Sequence, residues 1–134
     1  MKLTDGLHRA LSVPVDRGVA TVQTGAVELV QRAAEQLLDP RPVPGTSEWA
    51  QADPDALVER DIAWQLLCLR IALASGVDPV GFLVGLRRWG ATWQLIGAAA
   101  GMSRQAAHEK WADAVAGVLD PYGTGEIGAV LHAD

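Results

Sequence analysis

The chain is poor in the residues from which most reactive sites are built. Its 134 residues include one cysteine, one phenylalanine, one tyrosine and three histidines. A lone cysteine has no internal disulfide partner, and Cys68 sits in an apolar run where a small buried residue fits. The alternative reading is a redox-sensing thiol, which nothing nearby in sequence favours. His8, His108 and His132 are far apart and have no Cys or paired carboxylate at ligand spacing, so no metal site is expected. The carboxylates Asp53, Asp55, Glu59 and Asp61 crowd a helix start, where they suit the helix dipole rather than form an acid–base pair. Ser12, Ser47, Ser75 and Ser103 lack a nucleophile-elbow context. The expectation is a protein that is not an enzyme and carries no cofactor. Residues 123–128 match G-x-G-x-x-G literally, but no strand precedes them, so nucleotide binding is not expected.

Long hydrophobic runs are also missing. The stretch Ile62 to Ala74 is shorter than a bilayer span and is interrupted by Gln65 and Arg70, which predicts a core helix. Near the N-terminus, Asp5, His8 and Arg9 occupy positions where a secretory signal needs an unbroken apolar core, so a cytoplasmic location without membrane association is expected.

What remains is 49% hydrophobic, with five tryptophans, fourteen glycines and seven prolines. That suits one folded domain, or one domain with an arm. The periodicity throughout is helical, and the predicted fold class is all-α: a multi-helix bundle with a C-terminal helix-turn-helix and a proline-rich linker after an N-terminal helix. Residues 1–38 are read as an N-terminal arm and an amphipathic helix. In the arm, Leu3, Leu7 and Leu11 recur every four residues before Pro14 interrupts. From Val19 to Leu38, the positions Val22, Ala26, Leu29, Ala33 and Leu37 form a near-heptad stripe. Such a stripe more often faces a core than a dimer seam, and the repeat is short for a coiled coil.

Three prolines between Asp39 and Gly45 stop that helix, making 39–52 a linker with Trp49 as its apolar anchor. The body is placed at 53–119. Asp53-Pro54-Asp55 is a helix start, with a side-chain cap, a first-turn proline and a carboxylate at the positive end of the dipole. The helix it opens runs to about Ala74 and is apolar nearly all round, as in a central core helix or a subunit interface. Asp78-Pro79 repeats the start for a short helix to about Trp89, in which Gly81 and Gly85 permit close packing. A tail occupies 120–134, with Ile127, Val130 and Leu131 as a closing segment.

The stretch Gly90 to Trp111, GATWQLIGAAAGMSRQAAHEKW, organises the rest. Thr92 can cap a helix over 93–100, Gly101 ends it, and Ser103 caps a second helix that continues to about Ala116. Close-crossing helices need a small residue at the crossing and apolar flanks, and Gly97, Ile96, Ala100, Met102 and Ala107 fall in those places. Over this span, TW..IG.A.GMSRQAAH.KW resembles the sigma-factor region-4-like helix-turn-helix of small bacterial DNA-binding proteins of the high-GC type. The resemblance covers about the span Gly90 to Trp111, within a helix-turn-helix placed at 92–116, and implies docking on double-stranded DNA through the second helix. Lys110 departs from the pattern, which often has an apolar residue there, and Trp111 is expected to take over that packing.

Charge is distributed in keeping with this reading. The net charge is -5, yet residues 87–111 carry four basic side chains and one acidic. A basic island in an acidic protein can dock on DNA while the remainder limits non-specific binding. The helical wheel puts Ala107, Trp111, Ala114 and Val118 inside and Gln105, His108, Glu109 and Ala112 outside. Arg104 can pair with guanine and Gln105 with adenine, Ser103 and its helix-start amides can hold a phosphate, and His108 can add a base contact. Arg87 and Arg88 either complement the preceding helix dipole or touch phosphate. Arg87, Arg88, Thr92, Ser103, Arg104, Gln105 and His108 are therefore the expected DNA-contacting set, with Trp89, Trp93 and Trp111 in the core. The expected function is sequence-specific DNA binding in transcriptional regulation, by a homodimer. The alternative is a protein-interaction module that binds RNA polymerase, a regulator or a toxin, which the acidic balance and Glu109 favour.

Overall fold

The structure, a computed structural model, describes residues 3–123, and among these every regular element is a helix. The elements are α1 (Leu3–Ser12), α2 (Asp16–Leu37), α3 (Ser47–Gln51), α4 (Pro54–Ser75), α5 (Val80–Arg88), α6 (Trp93–Ala100) and α7 (Arg104–Leu119). The expected tail segment and the G-x-G-x-x-G match reach beyond the described residues.

Local chemistry explains most boundaries. Asp53 caps α4 by accepting from the Asp55 amide at 3.1 Å, with Pro54 in the first helical position, where its missing N–H costs nothing. Asp78 similarly accepts from the Val80 amide at 3.1 Å and so starts α5. The Thr46 hydroxyl accepts from Trp49 at 3.2 Å and starts α3. That short helix lies inside the stretch expected to be linker throughout; within 39–52 the non-helical residues are 39–46, where the prolines fall, and Ala52.

α4 is the central wall, and it separates two clusters of buried side chains. On one side, Leu69 packs with Leu83, Val84 and Leu86 of α5, Trp93 and Ile96 of α6, and Ala107, Trp111 and Val115 of α7. On the other, Cys68 and Ala72 meet Val30 and Ala34 of α2 and Phe82 of α5. The apolar circumference of α4 needs cover on more than one side, and these clusters supply it. None of the described helices is long and apolar enough to cross a membrane.

Polar ties fix α2 and the proline stretch to this wall. Arg60 of α4 donates to the Glu35 carboxylate at 2.5 Å and to the Asp39 carbonyl at 2.9 Å, clasping the end of α2. Arg41 donates from Nε to Asp61 at 2.9 Å, and its guanidinium lies 5.4 Å from the centre of the Trp49 ring. Trp49 is half-buried there, and the tie to α4 runs through Arg41.

The apolar stripe of α2 is a correction. Val22, Leu29 and Leu37, placed on the core side by their heptad spacing, are exposed, at 71%, 62% and 68% of their surface. Burial falls instead on Val30 and Ala34, with Val27 packed beside them. The helix carries two apolar faces, and the shorter one docks on α4.

Cys68 lies in the second cluster with no surface exposed. Loss of solvation, reinforced by the nearby negative charge of Glu35, pushes its thiol up to about 11. The thiolate fraction near pH 8 then falls roughly a hundredfold below that of an exposed cysteine, before shielding is counted. A thiol-specific chromogenic reagent at pH 8 is expected to leave Cys68 essentially unlabelled in native protein and to titrate one thiol per chain in denaturant. Rapid native labelling would contradict the burial.

Candidate nucleic-acid interface

The turn between α6 and α7 is built by three residue types that the sequence places in order. Thr92 caps α6 by accepting from the Leu95 amide at 3.1 Å. Gly101 ends it at φ +74°, in the left-handed region where a Cβ is unfavourable, and the Met102 amide reaches back to the Gly97 carbonyl at 2.9 Å. Ser103 then caps α7 by accepting from the Ala106 amide at 3.1 Å. Gly97 is the crossing point: a Cβ built there would stand 2.7 Å from the Met102 carbonyl oxygen and 2.9 Å from that of Ser103. Only glycine lets the turn backbone lie this close to α6.

Beneath the turn, Trp93 is completely buried, and the Arg87 guanidinium lies 5.1 Å from the centre of its ring. Arg87 is only 6% exposed and donates to the Ala91 carbonyl at 2.6 Å. It is thus turned inward, bracing the α5–α6 corner, and the expected phosphate contact is withdrawn for it. Arg88, its neighbour one helical position on, is exposed. The 100° step between successive helical residues sends two adjacent arginines to different environments.

On α7 the packed side comprises Ala107, Trp111, Ala112 and Val115. The wheel was therefore set off by a small rotation: Ala112 is inside, while Ala114 and Val118 are outside. His108 is half-buried, its ring edge-on to Trp93 at 5.5 Å between centroids, so it belongs to the seam between α6 and α7 rather than to the outer face. Trp111 is buried as expected, and Lys110 is exposed with its ammonium 5.3 Å from the centre of the Trp111 ring. Trp89, assigned to the core by sequence, is half-exposed at the end of α5.

Of the expected set, Ser103, Arg104 and Gln105 come together at the exposed start of α7, and Arg88 is exposed on α5. Thr92 is half-buried with its hydroxyl used as a cap. Two exposed residues of the outer face were missed, Lys110 and Asp113, which follow Gln105–Ala106 at the helical spacing of three to four. The Gln105 amide donates to the Glu109 carboxylate at 3.1 Å, which holds the Gln105 side chain along the helix. Arg104 and Lys110 are balanced by Glu109 and Asp113, so the positive end of the face is its N-terminal turn. There the first amides of α7 add the partial positive charge of the helix dipole.

Comparison with known protein families, curated proteins and solved structures finds no match for this chain.

Two stability measurements check this geometry. Gly97→Ala forces Cβ against backbone, which cannot rotate away, and is expected to lower unfolding stability by about 1–3 kcal/mol in urea titration. Arg87→Ala removes the Ala91 bond and the stack on Trp93 and is expected to cost about 2–3 kcal/mol, while Arg88→Ala stays within about 0.5 kcal/mol. Equal effects of the two arginine substitutions would contradict their opposite placement.

Proposed function

We propose that α6 and α7 form a helix-turn-helix that binds double-stranded DNA, with α7 entering the major groove, and that the protein regulates transcription. The observation that carries this reading is the exposed, capped start of α7, which presents Ser103, Arg104 and Gln105 together on a backbone fixed by Gly97 and Trp93. Arg104 pairs bidentately with guanine O6 and N7, and Gln105 pairs with adenine once its bond to Glu109 is exchanged for the base. Ser103 and the leading amides of α7 hold one phosphate, and Arg88 another. Thr92 and His108 act by position: one caps α6, and the other fills the seam against Trp93. Two copies acting together read two half-sites about 34 Å apart.

A second reading has an observation of its own. The outer face of α7 carries Glu109 and Asp113 alongside Lys110, a mixed surface suited to a protein partner such as RNA polymerase, a regulator or a toxin.

Genomic selection followed by a salt series on the recovered duplex separates the two. Arg104→Ala and Gln105→Ala are each expected to weaken binding by about 1–3 kcal/mol and to relax preference at one base position. Arg88→Ala is expected to weaken all duplexes alike and to reduce the salt slope by about 1. Absence of salt-dependent binding to any duplex would remove the DNA reading in favour of a protein partner.

A further inference from the structure

A trough runs along the seam between α4 and α6, bordered by the end of α2. It consists of two adjoining hollows of about 570 and 580 Å³ that share Leu67, Arg70 and Ala99. Leu37 and Ile71 border one of them, and Leu95 and Ala98 the other. Apart from Arg70, every side chain lining the two is apolar, so a single positive charge stands where they join. Arg60, the other arginine of α4, is paired with Glu35. Arg70 is exposed and makes neither a hydrogen bond nor an ion pair among the described residues. Apolar walls around an unpaired guanidinium fit a segment that is itself apolar and acidic.

The chain contains such a segment just past Gly123, the last described residue. Residues 124–134, TGEIGAVLHAD, carry Ile127, Val130 and Leu131, the acidic Glu126 and Asp134, and no lysine or arginine. The length of chain is sufficient. Gly101 lines the trough, and the 16 residues of α7 begin three positions later, so Leu119 lies at most about 34 Å from Gly101. Residues 120–130 can span up to about 36 Å. Leu119 also packs against the same buried cluster as Leu66 and Ala99 of the trough. Other surfaces match less well. The hollows along α2 carry Glu28, and one of them Asp78 as well, which repel an acidic segment. The start of α7 is positive, but its exposed Ser103, Arg104 and Gln105 are polar, and aliphatic side chains gain little there.

We propose that residues 126–131 dock in this trough within the same chain, Ile127, Val130 and Leu131 covering its apolar walls and Glu126 pairing with Arg70. Because α6 forms one wall, docking adds a contact to the helix from which the turn to α7 departs. The proposal goes beyond the functional reading and does not depend on DNA binding.

Cross-linking in the full-length chain tests it. Ala98→Cys with Val130→Cys, treated with a short bismaleimide, is expected to join within one chain. Ala114→Cys with Val130→Cys is the control, since Ala114 is exposed on α7 and nearer to Val130 along the chain, where an undocked segment meets it more often. Cys68 is buried and does not compete. The Ala98 pair is expected to react roughly tenfold faster than the control, because docking raises the local concentration of one thiol at the other. Ile127→Ser with Leu131→Ser is expected to remove that advantage. Arg70→Glu is expected to slow the reaction about threefold, and Glu126→Arg in the same chain to restore it, since exchanging the charges keeps the ion pair. Circular dichroism should be unchanged by Ala98→Cys, Ala114→Cys and Arg70→Glu, because all three positions are exposed. A rate for Ala98 no greater than for Ala114 would overturn the docking, as would indifference to both the serine pair and Arg70→Glu. A product joining two chains would assign the trough to the segment of a second copy and overturn docking within one chain.

Discussion

The arrangement of the C-terminal helices depends on one close contact, the passage of the Met102–Ser103 backbone over Gly97. Because no side chain intervenes, the turn lies directly on α6, and α7 leaves it at an angle that puts Ala107 and Trp111 into the core. Two other features keep that crossing in place: the left-handed Gly101, and the Trp93 ring with Arg87 against it. With these satisfied internally, the start of α7 is rigid without being covered. Rigidity and exposure together are what a recognition surface needs, since ordering a loose segment on binding would consume part of the affinity.

α4 links that end of the molecule to the other. Its two sides serve the α5–α7 cluster and the α2 cluster, with Leu69 on one side and Cys68 on the other. Adjacent residues in sequence therefore report on different cores, and α2 meets the C-terminal helices through α4 and through Phe82 of α5. The charged clasp of Arg60 on Glu35 and Asp39 fixes where α2 leaves the wall. Beyond that clasp toward the N-terminus, α2 has only Val27, Val30 and Ala34 to hold it before it projects.

Charge and packing pull differently on α7. The N-terminal turn combines Arg104 with helix-start amides, while Glu109 and Asp113 follow within two turns. Any polyanion is thus met by the first turn and repelled further along, which favours a docking angle with the N-terminus of α7 inserted. The same alternation would suit a polar protein surface, and for that reason salt dependence rather than affinity alone discriminates between partners.

The ends of α4 to α7 were legible in the sequence, because caps and breakers act over one turn: Asp53-Pro54, Asp78, Thr92, Gly101 and Ser103 work within four residues of themselves, whereas α3 was read as linker. The crossing at Gly97 was legible for the same reason, since the residues that meet there are neighbours along the chain. What a helix faces is a different matter. Arg87 and Arg88 are equivalent in composition, and only the packing of α5 on α7 and Trp93 decides that one is buried and the other free to meet solvent. The heptad on α2 was read correctly as an apolar stripe, but its spacing carries no record of which neighbour it meets. The tertiary structure gave the α4 contact to the shorter Val27–Val30–Ala34 face, because burial depends on the positions of distant elements, and so left the stronger stripe open.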